Sequence, residues 1–358
     1  MGLDRLAVVH RRMHEQRLAA EPFDTPAQVV GWLGAVQAQE HAEAKWSIAE
    51  RTHACTAADV EEAFARGEIL RTHLLRPTWH FVTPADIRWL LDLTAPRVHA
   101  ANRYWYKQSG LGDALVARSQ EVFREALEAG DPLLRKELAE ALTLAGVEEA
   151  TGIRLSYITM HAELEGLICS GPCRGRQHTY MLLDQRVPEA RTLTREQALA
   201  ALALRYFRSH GPATARDFSW WSGLTMADVN AGLEAVGDEL ESQDDDGTPW
   251  FSSPQSATEG PASGAFLIPM YDELGVAYKD LRMVLAEQPP REGLLERPIV
   301  IGGETVGSWK RTLTGRSATI HATLFTSLSD AQAAALDAAV ERFGAFAELP
   351  AVLELSPP

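Results

Sequence analysis

The chain has 358 residues, 46% hydrophobic and 23% charged, with a formal net charge of −15. That length exceeds one typical core and that composition excludes a disordered chain, so two or three packed modules are expected. The acid excess argues against a polyanionic partner, yet residues 1–110 hold 13 Lys/Arg against 13 Asp/Glu, so the whole excess lies beyond them.

Taken in chain order, one pattern recurs three times: two or three short helices, then a pair of strands around a turn. In the first copy Thr25-Pro26 starts a helix with Val29, Leu33 and Val36 on one face. A second helical stretch surrounds Trp46, and Thr56-x-x-Asp59 caps a third. Two β-like runs follow, Ile69–Leu75 and Thr78–Thr83, broken by Arg76-Pro77; Pro84 to Leu93 then reads as helix. In the second copy, near 131–187, Asp131 caps a helix with Pro132 at its first position and Leu134, Leu138 and Leu142 along one face. Thr151 opens the next helix, with a stripe of Ile153, Tyr157, His161, Leu164 and Ile168. A short strand at Leu167–Ser170, a turn over Gly171–Arg176 and a strand through Tyr180 and Leu182 complete it. In the third copy, about 194–253, a helix through Leu202 and Tyr206 stops at Gly211-Pro212, and Thr214-x-x-Asp217 and Thr225-x-x-Asp228 cap two more. Asp246-Gly247 turns its hairpin, which ends at Trp250-Phe251. The tip Asp244–Asp246 would repel phosphate, so this copy reads as structural. The region 264–326 is strand-rich, with turns at Gly302-Gly303 and Thr314-Gly315, and an Ala-rich helix over 329–343 closes the chain.

Helix, helix, hairpin is the outline of a winged helix. The expected fold class is therefore α+β: winged-helix modules at 1–110, 111–190 and 191–255, then a C-terminal β-rich region at 256–358 ending in a helix. No long low-complexity linker separates them, so they are expected to pack as one body, sufficient as a monomer.

Met1–Ala20 carries charges at Asp4, Arg5, Arg11 and Arg12, which excludes an apolar signal core, and no run is long enough to span a bilayer. Cys55, Cys169 and Cys173 make no disulfide framework, so the chain reads as cytoplasmic and reduced. Cys169-x-x-x-Cys173 lacks a second ligand pair, and no Gly-rich phosphate loop or nucleophile elbow occurs, so neither metal nor cofactor is expected. Gln37-Ala38-Gln39 is the unusual local feature. If the segment is extended, both amides share a face. Amides do not titrate near pH 7 and so cannot be general bases, but they can hold a water or bond a substrate. With 13 Gln in the chain the spacing alone is equally that of a surface pair.

Arginine outnumbers lysine 29 to 5, which favours planar multi-donor contacts. The candidates for phosphate contact are Arg71, Arg76 and His80 on the first hairpin, Arg174 and Arg176 at the second, and Lys310, Arg311 and Arg316 near the C-terminal strand turn. Each of these also fits an ordinary strand or solvated turn.

Four features together resemble one family, the bacterial tandem winged-helix DNA glycosylases. They are Gln37-Ala38-Gln39, the run Arg76-Pro77-Thr78-Trp79-His80, the run Leu267-Ile268-Pro269-Met270-Tyr271-Asp272-Glu273, and Val306-Gly307-Ser308-Trp309-Lys310. The likeness covers nearly the whole chain, and the order and spacing of the motifs carry its specificity. That family divides by its tripeptide into Gln-apolar-Gln and Gln-apolar-Asp, and this chain resembles the first, AlkZ-like branch. The resemblance implies double-stranded DNA as partner, excision of N7-alkylated purines, unhooking of interstrand crosslinks, and self-resistance to a crosslinking antibiotic of the azinomycin B kind. It implies Gln37 and Gln39 as the catalytic pair, at the floor of a DNA-sized cleft. With no lysine beside them (Lys45 is nearest), a monofunctional enzyme is expected. Two rival readings remain at this level. A winged-helix transcription regulator would read a specific operator, although Arg154 is the one basic residue on its candidate helix. A drug-sequestering protein would use Trp220-Trp221 or Tyr104-Trp105-Tyr106.

Overall fold

A computed structural model describes residues 3–147, 150–189, 191–254, 263–280 and 297–356. The chain begins with α1 (Arg5–Glu15), α2 (Pro26–Leu33), β1 (Val36–Gln37), α3 (His41–Ala49) and α4 (Ala57–Arg66). The hairpin β2 (Leu70–Leu74) and β3 (Thr78–Val82) leads into α5 (Ile87–Gln108) and α6 (Asp113–Leu127). Next come β4 (Leu133–Leu134), α7 (Arg135–Leu144), α8 (Gly152–Leu164), β5 (Ile168–Arg174), β6 (Gln177–Leu182), α9 (Leu183–Arg186) and α10 (Arg195–His210). Then follow β7 (Ala213–Thr214), α11 (Ala215–Ser222), α12 (Met226–Val236), β8 (Glu241–Asp245), β9 (Thr248–Ser252), β10 (Ala265–Leu267) and α13 (Glu273–Val276). The chain closes with β11 (Pro298–Ile301), β12 (Glu304–Leu313), β13 (Ala318–Leu324), α14 (Asp330–Ala347) and β14 (Ala351–Ser356). Among the described residues, no helix is long and apolar enough to cross a membrane.

Contacts divide these elements into two compact units. One comprises Met1–Glu61, Leu199–Trp221 and Thr225–Pro358, the other Glu62–Ala198 with Ser222–Leu224.

In the first unit, β10 to β14 form a five-stranded sheet in sequence order, antiparallel except for the last pair. The parallel β13–β14 pairing needs a crossover, which α14 supplies. Leu336, Val340, Phe343 and Phe346 of α14 are buried in one core with Ile299, Trp309 and Ile320. At roughly 1.5–3 kcal/mol per buried large side chain, that face rather than helix propensity holds α14 in place. Trp46 of α3 joins the same core, its ring 5.0 Å from those of Phe343 and Phe346. The sheet β7-β9-β8 lies in this unit too, with α11 and α12 between β7 and the β8–β9 hairpin. The Thr214 and Thr225 caps form as the sequence expects, with Asp217 and Asp228 as their partners.

The second unit carries the same order of parts: β4, two helices, then a β5–β6 hairpin, with sheet order β4-β6-β5. Here three local expectations are corrected. The helix expected at Pro132 begins at Arg135, because Leu133 and Leu134 pair with Tyr180 and Thr179 instead. Its first turn is closed by the Glu137 carboxylate, which accepts the Leu134 N–H at 2.7 Å. On α8, Leu155, Ile158 and Ala162 face the core, whereas Ile153 is 65% exposed and Ile168 belongs to β5. The expected six-residue turn shrinks to Gly175-Arg176, since β5 continues through a bulge between Gly171 and Arg174. A Cβ on Gly171 would come within 2.6 Å of Thr179 Oγ1, so glycine is required there.

Cys169 is buried in β5, and burial pushes its thiol up to about 12, the opposite of what a thiolate ligand needs.

Candidate active site

The Gln-Ala-Gln segment links α2 to α3. Thr25 and Gln28 exchange the hydrogen bonds of a capping box at the start of α2. Gly34, at φ +83°, ends that helix, where the Arg205 side chain leaves only 3.0 Å for a Cβ. Val36, expected on the face of the preceding helix, lies instead in β1. Ala35, Val36 and Ala38 have no exposure, Gln37 is 7% exposed, and Gln39 is half-buried at a bend before α3. The period-two argument for a shared face therefore covers Gln37 but not Gln39.

Glu273 fixes the segment. Its Oε1 accepts the backbone N–H of Gln37 at 3.0 Å, and its Oε2 accepts the Trp221 indole N–H at 2.9 Å, with His210 Nε2 at 3.5 Å. Glu273 is fully buried, so losing one of these donors would leave a desolvated carboxylate oxygen. The neighbouring Asp272 caps α13 by accepting the Leu274 N–H, and it binds Arg51 through both oxygens at 2.8 and 2.9 Å. Ser47 donates to the same carboxylate at 2.6 Å. Burial pushes the Asp272 carboxyl up, but the Arg51 charge and these hydrogen bonds outweigh it and hold the group below its usual range. Two backbone carbonyls of the same run are also engaged. Leu267 accepts from Trp46 at 2.7 Å and Ile268 from Trp309 at 2.8 Å. The run 267–273 is thus the floor to which both α3 and the glutamine segment are tied.

The model of the family described as DNA glycosylase AlkZ-like matches residues 30–346, which takes in the glutamine segment and nearly all of its supports. The chain belongs to that family. The AlkZ-like chain is 27% identical over 326 residues to the interstrand DNA cross-link repair glycosylase of Streptomyces sahachiroi, covering 84% of this chain and 85% of that one. Its fold is similar to that of the Streptomyces sahachiroi DNA glycosylase AlkZ, with a TM-score of 0.81 and 22% sequence identity over 99% of this chain and 100% of the other.

The basic residues named from the AlkZ-like sequence fall into different environments. Lys310 and Arg316 are exposed on the first unit. Arg311 is drawn into an ion pair with Glu43 at 3.0 Å, beside Arg297 at 3.1 Å on the same carboxylate oxygen. Burial and the neighbouring Arg297 lower the Arg311 pKa, against the pull of Glu43. On the second unit, Arg71 is 6% exposed, its guanidinium 4.3 Å over the Trp79 ring. Trp79 and its cross-strand partner His73 both reach Glu163 of α8, at 3.3 and 2.5 Å. His80 is buried on the opposite face, with Nδ1 3.0 Å from the Thr78 carbonyl, and Arg76 is half-buried at the turn. Arg174 is exposed but braced by Glu137 and the Pro132 carbonyl, both at 2.6 Å, and Arg176 is exposed at the turn itself.

Sequence reasoning missed Arg51, Glu43, His210 and the anchoring role of Asp272-Glu273. The signal available was two adjacent acids inside an otherwise apolar, strand-like run.

Glu50, next to Arg51, lines a cavity of about 500 Å³ with Trp46, Phe266 and Arg342. Arg342 lies 3.6 Å from its carboxylate, and among the described residues neither oxygen has a hydrogen-bond partner. Burial therefore pushes its pKa from 4.5 up to about 8, against the lowering charges of Arg342 and Arg51. A folded pKa above the unfolded one means that the contribution to stability is complete below about pH 4.5 and is lost as pH rises to about 8. Glu50→Gln is thus expected to gain on the wild type by on the order of a few kcal/mol between pH 5 and 9. Urea midpoints across that range check it; parallel curves for the two proteins would refute it.

Proposed function

We propose that this chain hydrolyses the N-glycosidic bond of N7-alkylated purines in double-stranded DNA and unhooks interstrand crosslinks made through that nitrogen. The observation that carries the reading is the buried Gln37, its backbone clamped to Glu273, inside the part of the chain that matches a DNA glycosylase family. An N7-alkylguanine already bears a positive charge and leaves without being protonated. Cleavage then passes through an oxocarbenium-like sugar, which needs a held water and stabilised charge more than a strong acid (compare sugar hydrolysis). In this reading Gln37 and Gln39 hold that water. Both oxygens of Glu273 are engaged by donors, so its part is to position Gln37.

Lys45 bonds the Glu61 carboxylate at 3.0 Å, which supports a monofunctional reaction with no Schiff base. The repeated order of two helices and a hairpin supports tandem winged helices, and a lesion too bulky to flip into a tight pocket calls for an open site. An abundance of acids elsewhere on the chain restricts DNA to a narrow basic surface, and the protein is expected to act as a monomer. The biological counterpart is self-protection against a crosslinking antibiotic of the azinomycin B kind. The operator-binding alternative loses ground because Arg154 Nε donates to the Ser109 carbonyl. Drug sequestration loses Trp221, which is buried against Glu273.

The test is the full chain with a duplex carrying one defined N7-guanine crosslink, resolved on a denaturing gel after alkali, with borohydride present in a parallel reaction. Separated strands, an abasic site and no trapped protein–DNA adduct are expected. An intact crosslink overturns the activity, and a trapped adduct overturns the monofunctional mechanism.

A further inference from the structure

We propose that His99, His161 and Glu165 of the second unit form a binding site for a zinc-class divalent cation. His161 and Glu165 are four residues apart at the C-terminal end of α8, so they project from one side of that helix. His99 comes from α5, which packs on α8 through Ala95, Val98, Met160 and Leu164. His99 Nε2 lies 3.0 Å from Glu165 Oε1, the two imidazole centroids are 4.4 Å apart, and ligand atoms of all three residues lie within 4.8 Å of one another. Zinc bonds of about 2.0–2.2 Å in tetrahedral array place neighbouring ligand atoms roughly 3.3 Å apart, so small side-chain adjustments close the set.

The groups behind the ligands fit the same purpose. Tyr106 Oη lies 3.0 Å from His99 Nδ1, and with Nδ1–H donating to it the lone pair falls on Nε2, the nitrogen that faces Glu165. Gln120 Nε2 donates to His161 Nδ1 at 3.3 Å and so orients that ring. The Tyr106 contact fixes the orientation and tautomer of His99, which a pair of histidines in simple packing does not require. A cavity of about 300 Å³, lined by Asp92, His99 and Glu165 among others, provides an entry path and room for a water as fourth ligand. The bound ion joins α5 to α8.

The probe is zinc itself, titrated by competition with a chromophoric chelator into full-length protein stripped of metal and checked for folding by circular dichroism. One zinc per chain, with Kd on the order of micromolar or tighter, is expected. Cobalt in its place is expected to give the visible absorption of a four-coordinate site. Glu165→Gln keeps the shape of a half-exposed side chain, and it is expected to weaken binding at least ~10-fold. A His99→Asn/His161→Asn variant is expected to abolish both binding and the cobalt bands. Absence of stoichiometric zinc in the wild type, or wild-type affinity in the Glu165→Gln protein, overturns the proposal.

Discussion

A Gln37→Ala/Gln39→Ala double variant is expected to excise N7-alkylguanine about 10²–10³-fold more slowly than the wild type. Its affinity for undamaged duplex should be unchanged, because phosphate contacts come from other residues. The magnitude is that of removing a preorganised polar group from a developing charge, and the missing general base sets the reason. If the water were activated by a carboxylate, losing two amides would cost little. Single-turnover rates on a monoadduct duplex measure the effect, and a rate within threefold of the wild type would remove the glutamines from the chemistry. Glu273→Gln separates positioning from reaction. It keeps the side-chain shape but replaces one acceptor oxygen with an NH₂ that faces a donor, either the Gln37 N–H or the Trp221 indole. That variant should lose rate while retaining the glutamines, with kcat falling and KM nearly constant.

How much of this was legible in the sequence depended on the range of the interaction. The Thr56, Thr214 and Thr225 boxes are signals completed within three residues, and each forms as read. Elements whose reason lies far away were not read. β14 alternates weakly and is mostly exposed, and its place is set by parallel pairing across α14. β4 is two residues long and exists because Tyr180 and Thr179 pair with it. α5 runs on to Gln108, past Leu93 and past Pro96, because Val98 and Asn102 continue its buried face. At the candidate site, Gln37, Gln39 and the 267–273 run stood out as motifs, but no local pattern joins them. The bond from Gln37 to Glu273 spans 236 positions and that from Arg51 to Asp272 spans 221. Spacing shows which residues are unusual; only packing shows that one acid holds the helix and the other holds the glutamine segment.

That division of labour makes Asp272→Asn the most damaging single change expected for stability. Arg51 and Asp272 are 0% and 1% exposed, and the guanidinium also donates to the Gln16 and Ser47 carbonyls. Removing one charge of a buried pair leaves the other desolvated without compensation, which costs about 3–5 kcal/mol. An Arg51→Met/Asp272→Leu pair should recover only part of this, since Ser47 Oγ, the Leu274 N–H and the two carbonyls would each lose a partner. The pH dependence runs opposite to that of Glu50. The Asp272 pKa is held below its unfolded value, so its contribution is present above about pH 3.8 and is lost only as pH falls further. The two acids thus titrate the fold in opposite senses: the Glu50 contribution is lost as pH rises from about 4.5 to about 8, and that of Asp272 as pH falls below about 3.8. Urea midpoints at pH 7 and below pH 4 read the Asp272 effect directly: a large deficit at pH 7 that narrows in acid. A deficit independent of pH would mean that Asp272 acts through shape rather than charge. Because Asp272 precedes Glu273 at the start of α13, the Asp272→Asn protein should also lose excision rate at temperatures where it is still folded. Full activity there would show that the Glu273 clamp on Gln37 does not depend on the Arg51 anchor.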